Sequence, residues 1–131
     1  DGGKFKKVQM KLLKNIAQKE YKKGNYVVVG GDWNQCPPNF DGNTFLRAGM
    51  KASKEENIEN DFLTDWEWVF DPSVPTNRKL DKPYNPAKTF TTILDFYLIS
   101  PNLELVTART IDQQFAFSDH QPVYMRVKIK E

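Results

Sequence analysis

The sequence predicts an α/β domain, and three observations carry that prediction. A lysine-rich stretch with helical apolar spacing opens the chain, a glycine closes it, and the branched run "VVVGGDWNQC" follows at once. The chain then finishes on a clear alternation of apolar and polar residues, "PVYMRVKIK". A length of 131 residues is that of one domain able to bury its own core. With 39% apolar and 13% aromatic residues among many charges, the composition is that of a folded domain and not a disordered one.

Residues 4–22 place Phe5, Val8, Leu12, Leu13, Ile16 and Ala17 at helical spacing between lysines, which predicts a surface helix with one buried stripe. Gly24 supplies its C-terminal stop. Residues 26–29 read as a short buried strand, because their β-branched residues run almost without interruption. Residues 35–43 turn to Pro, Asn, Asp and Gly and read as a loop, and residues 48–59 as loop with at most one helical turn. "FLTDWEWVFD" (62–71) has the aromatic and β-branched content of a strand, after which Pro72, Pro75, Pro83 and Pro86 punctuate a long connection. Long ordered connections in compact domains often carry function.

Residues 88–100 resume strand character, as one bent strand or two joined by a bulge. Period-two geometry puts Ile93, Asp95, Tyr97 and Ile99 on one face and Leu94, Phe96 and Leu98 on the other, so this strand is expected at the centre of a sheet. Residues 103–111 are a further strand, and the last strand points Val123, Met125, Val127 and Ile129 inward. No internal repeat, low-complexity tract or domain linker interrupts this order.

Composition also narrows function. Nineteen basic against seventeen acidic residues leave a formal charge of +2, too small a bias to argue for a polyanionic partner. A single cysteine, Cys36, allows no internal disulfide. There is no apolar run of bilayer length and no signal-peptide pattern, and the chain opens on "DGGKFKK" without Met. The expectation is a piece of a longer protein whose remainder could hold a signal or an anchor.

Three segments put polar residues where strands end or where a buried strand should be apolar: "GGDWN" (30–34), "ILDF" (93–96) and "SDHQPV" (118–123). Asp32 and Asn34 also suit a plain turn, Asp119 a solvated loop charge, and an isolated His120 an ordinary surface site. Asp95 is harder to explain away, because an ionised carboxylate in a central strand is costly unless paired. Together the parts are complementary. Asp95 suits orienting the imidazole of His120, Asp32 and Asp119 suit a metal or a nucleophilic water, and Asn34 suits donating to a phosphate oxygen. One Cys and one His cannot build a closed zinc site, no serine sits in a nucleophile elbow, and no Walker loop is present.

In these motifs and their order the chain resembles the C-terminal half of the endonuclease/exonuclease/phosphatase family of metal-dependent phosphohydrolases. "GGDWN" is similar to the family's Gly-Asp-x-Asn, "LDF" to its Ile-Asp-Tyr, and "SDHQPV" to its Ser-Asp-His-x-Pro-Val ending, and the likeness covers nearly the whole chain. The resemblance implies that Asp32 positions or activates water and Asn34 holds the scissile phosphate. Asp95 would orient His120, which contacts the phosphate or moves a proton, and Asp119 would lie at a Mg²⁺ or Mn²⁺ ion. Two departures stand out. Ile93 occupies a position that is Arg in many members, and the family half bearing an Asn and the principal metal-binding Glu lies outside this sequence.

The resemblance further implies half of a four-layer α/β sandwich, a mostly antiparallel sheet with a helix on its outer face. Its second apolar face would be covered by the other half or by a second copy of the fragment. The longer protein would then hydrolyse a phosphate ester, nucleic acid being within the family's range, while the fragment alone would bind metal weakly and have little activity. The competing reading is a noncatalytic module that holds nucleic acid or another anion with Trp33, Trp66, Trp68 and basic residues. Arg78 is the most tempting phosphate contact outside the motifs, against the default of a solvated loop arginine. Neither "NQCPPNFDGN" nor "SVPTNRKLDKPYNP" carries a feature that selects DNA, lipid head group or sugar phosphate.

Overall fold

The computed structural model describes residues 2–131. Its elements, in chain order, are helix α1 (Gly2–Lys22) and strands β1 (Val28–Asp32), β2 (Glu67–Val69), β3 (Asn77–Arg78), β4 (Thr91–Thr92), β5 (Asp95–Ile99), β6 (Leu103–Thr110) and β7 (Val123–Ile129). The architecture is mixed α/β, with three small antiparallel sheets ordered β1-β5-β2, β3-β4 and β6-β7.

Helix α1 ends as expected, with Gly24 in the left-handed region at φ +90° and its N–H donated to the Tyr21 carbonyl at 2.9 Å. Its buried face keeps Leu13 and Ala17 of the expected stripe and differs in the rest. Met10, Leu13, Ala17 and Tyr21 pack on the core, whereas Phe5, Val8, Leu12 and Ile16 stand 73%, 62%, 58% and 51% exposed. Both sets have the same helical spacing and lie about 140° apart around the axis. Only one ridge can face the sheet, and the small side chain of Ala17, 3% exposed, allows the closer approach.

Strand β5 lies between β1 and β2, as its two apolar faces required. Phe96 and Leu98 face α1 with Trp33, Ile58, Phe62, Leu63 and Trp66. Tyr97 and Ile99 face the β6-β7 hairpin with Val69, Leu103, Met125 and Val127. Ile93 does not keep the expected phase and joins the first cluster. The reason is that residues 88–100 form two strands in different sheets, with Ile93 and Leu94 between them in neither.

Other expectations need adjustment. β1 begins later than predicted and runs through both glycines to Asp32. It is an edge strand, and Val28 is 47% exposed. Of the 62–71 strand only Glu67–Val69 forms. Phe62 and Trp66 close tight turns through bonds to the Glu59 and Leu63 carbonyls, which sends Phe62, Leu63 and Trp66 into one cluster. The 48–59 segment forms no helical turn; its end straps against Cys36, whose N–H bonds the Glu56 carbonyl at 2.8 Å and whose carbonyl takes the Ile58 N–H at 3.0 Å. Cys36 is thereby fully buried, with Sγ 3.4 Å from the Thr92 hydroxyl. In β7, Val123, Met125 and Val127 are half-buried, while Ile129 at the far end of the hairpin is 54% exposed.

Candidate active site

The ends of β1 and β5 meet first. Their antiparallel register sets Asp32 directly opposite Asp95. Gly31, at φ +144°, carries β1 through a conformation that favours glycine. Gly30 serves packing: a Cβ there would sit 2.5 Å from the Tyr97 ring. After Asp32 the chain turns sharply. Asn34 takes a left-handed φ of 52°, and its N–H donates to Asp32 Oδ1 at 2.8 Å. Asp32 therefore makes the turn that its residue type favours while its second oxygen remains directed at the imidazole. Lys6 of α1 ties down the same corner through a bond to the Asn34 carbonyl at 3.1 Å.

His120 arrives on a segment held like an extra strand beside β3. Its backbone bridges to Asn77, Arg78 N–H donates to the Asp119 carbonyl at 3.0 Å, and Gln121 N–H donates to the Thr76 carbonyl at 2.8 Å. The buried Gln121 side chain locks the entry, donating to the Pro75 carbonyl at 2.9 Å and accepting the Gln113 N–H at 2.6 Å. The Ser118 hydroxyl oxygen accepts the His120 N–H at 3.1 Å.

The imidazole that results has four polar neighbours. His120 Nδ1 lies 2.8 Å from Asp95 Oδ2, while Nε2 lies 3.6 Å from Asp119 Oδ2, 3.8 Å from Asp32 Oδ2 and 3.3 Å from Asn77 Nδ2. Asp95 is the most enclosed of the three carboxylates, its side chain 16% exposed. Burial pushes the Asp95 carboxyl above its ordinary range, and the charge of Asp32 adds to this; hydrogen bonds from His120 and Thr76 act against it without cancelling it. At His120 burial pulls the pKa down, but the bond to Asp95 and the charges of Asp95, Asp119 and Asp32 outweigh it. The imidazole is held above its usual value.

The structure thus brings Asp32, Asp95, Asp119 and His120 together, with Asn34 joined to them through its backbone. Arg78 is present through its backbone; its guanidinium donates to the Lys79 carbonyl at 3.1 Å and lies 6.0 Å from the centre of the Tyr84 ring. Trp33, Trp66 and Trp68 are engaged in core aromatic contacts. Trp33 stacks on Phe96 at 5.5 Å and meets Trp68 edge-on at 5.1 Å, and Trp66 meets Tyr21 at 5.6 Å.

Two residues escaped the sequence reading. Asn77 adds an amide beside Nε2, and Thr76, fully buried, accepts the N–H groups of Leu94 and Asp95 at 2.9 and 3.1 Å on its hydroxyl oxygen. The available signal was "TN" inside the proline-rich connection, immediately before Arg78.

Ligand atoms of Asp32, Asp95 and His120 lie within 4.8 Å of one another. The bond from His120 already engages Asp95 Oδ2, and Asp119 lies outside this group, though its Oδ2 is 3.6 Å from the same imidazole nitrogen that Asp32 Oδ2 approaches at 3.8 Å. Mg²⁺ characteristically takes one or two carboxylates and fills its octahedron with water and phosphate oxygens, so carboxylates in this cluster are of the donor type it takes. Compared with known proteins, the chain has no significant match to any family model, curated protein or solved structure.

Proposed function

We propose that this chain is part of a divalent-metal-dependent phosphoester hydrolase, with a nuclease or phosphatase reaction at the Asp32–Asp95–Asp119–His120 cluster. The observation that carries the reading is the convergence on one imidazole of a half-buried carboxylate, two further carboxylates and an amide. A binding module has no need of a half-buried carboxylate held against a lone histidine. The tryptophans that such a module would use for stacking are occupied in the core.

In this mechanism Asp95 accepts a hydrogen bond from Nδ1–H and fixes the ring so that Nε2 faces the substrate. The raised pKa favours a proton on Nε2, and His120 donates it to a phosphate or leaving-group oxygen. Asp32 takes a proton from the attacking water as the new P–O bond forms and the bond to the leaving group breaks. The amides of Asn34 and Asn77 donate to non-bridging oxygens, where charge develops. Asp119 would hold Mg²⁺ or Mn²⁺, which would supply Lewis-acid polarisation of the phosphate.

The same reading makes the fold half of a four-layer sandwich. Two features support this: the open edge at β1 and the exposed apolar residues Val28, Val106 and Ile129, at 47%, 50% and 54%. The longer protein is expected to hydrolyse bis-p-nitrophenyl phosphate or p-nitrophenyl phosphate with Mg²⁺. Either His120→Ala or Asp32→Ala should abolish turnover, and unchanged rates in both variants would remove the reading. Calorimetric titration of the 131-residue chain with Mg²⁺ should give only weak binding. Tight binding there would contradict the need for a further ligand.

A further inference from the structure

The outer ridge of α1 is a surface that the catalytic reading does not use. Phe5, Val8, Leu12 and Ile16 are all more than half exposed and follow one another in steps of three, four and four, so they form one continuous apolar ridge. The helix cannot roll to bury them, because Met10, Leu13, Ala17 and Tyr21 on the other side already hold it to the core. Exposed apolar residues standing singly are ordinary, but four aligned on one ridge mark a contact surface.

Charge says what kind of partner fits. The helix carries seven lysines and one glutamate, with no acid in its first turn, and that Glu20 is bonded to Lys23 at 2.8 Å. Exposed Lys7, Lys11 and Lys22 run along one flank of the ridge, and exposed Lys19 sits at its C-terminal end. The ridge is convex. A protein partner would need a preformed groove with an acidic rim, whereas a bilayer interface yields to a convex apolar ridge while lysine ammonium groups reach its phosphates. Among the described residues no helix is long and apolar enough to cross a membrane, so such a contact lies along the interface.

We propose that α1 is an interfacial helix that seats the protein on anionic lipid bilayers. Phe5, Val8, Leu12 and Ile16 enter the boundary between head groups and acyl chains, and Lys7, Lys11, Lys19 and Lys22 lie on the head groups. This stands independently of the hydrolase reading. The test is co-sedimentation of the 131-residue chain with phosphatidylcholine vesicles, with and without about 30% phosphatidylglycerol. The chain should pellet with the anionic vesicles and stay in solution with the neutral ones.

Val8→Glu with Leu12→Glu, and separately Lys11→Glu with Lys22→Glu, should each lower partitioning by about tenfold or more. All four positions are exposed, so circular dichroism should be unchanged; if the apolar pair disturbs the helix, the lysine pair decides. His120→Ala should bind vesicles like the unaltered chain, which separates this result from the catalytic one. Equal partitioning to both vesicle types, or full retention by the lysine pair, overturns the proposal. So does indifference to vesicles combined with binding of an acidic amphipathic peptide on the same ridge.

Discussion

At His120 two opposing influences meet, and their balance sets the chemistry of the cluster. Burial lowers the pKa, and the hydrogen bond and charge of Asp95, with the charges of Asp119 and Asp32, raise it past the ordinary 6.5. The protonated ring's interactions therefore stabilise the fold in full below the unfolded value near 6.5 and are lost as pH rises through the higher folded value. Asp95→Asn deletes the strongest raising influence and leaves burial in place, so the His120 pKa should fall in the metal-free protein. An NMR titration of the imidazole that finds it unchanged or higher would contradict the orienting role. Gly30 offers a packing test. An added Cβ would lie 2.5 and 2.7 Å from two atoms of the Tyr97 ring, and that ring is pinned by its hydroxyl to the Val123 carbonyl at 2.8 Å. Gly30→Ala should cost about 1–3 kcal/mol in urea denaturation, and a neutral result would mean that the ring moves freely. Asp32, Asp95, Asp119 and His120 were legible because each is a charged or titratable group in or beside a strand. Asn77 was not, since Thr-Asn in a proline-rich stretch also has the chemistry of a turn. Its role comes from pairing with residues 43 positions away.

Among the elements, the break between β4 and β5 matters most for the site. Were residues 88–100 one uninterrupted strand, Ile93 and Asp95 would share a face; the break lets Ile93 enter the core while Asp95 meets His120. Thr76 stabilises that break by accepting two backbone N–H groups on one buried oxygen. Thr76→Val keeps the shape but strands both donors, and a loss of about 1–3 kcal/mol is expected by chemical denaturation. A variant as stable as the parent sequence would show that the break holds itself. Strands β5, β6 and β7 could be read from local alternation. The breadth of the 62–71 strand could not, because aromatic content signals burial equally well in turns. The helix was found but its facing was misjudged: two apolar ridges of identical spacing leave the choice to the sheet behind them.

For the whole molecule, the decisive fact is that its three sheets are small and β1 remains an open edge. If the chain is half of a sandwich, as proposed, its uncovered apolar face should drive association between copies. Sedimentation equilibrium is then expected to show mass rising with concentration, and a strict monomer throughout would count against the half-domain reading. The half-domain reading is not written in any local pattern; it came from the motif resemblance alone. One enclosed atom gives access to the motions of this architecture. Cys36 is the chain's sole thiol, sealed under the strap at 56–58, and burial pushes its pKa up. An alkylating reagent can reach it only when the lobe between residues 36 and 57 lifts. The rate of its modification is therefore a built-in clock for the breathing of the wall that follows Asp32 and Asn34.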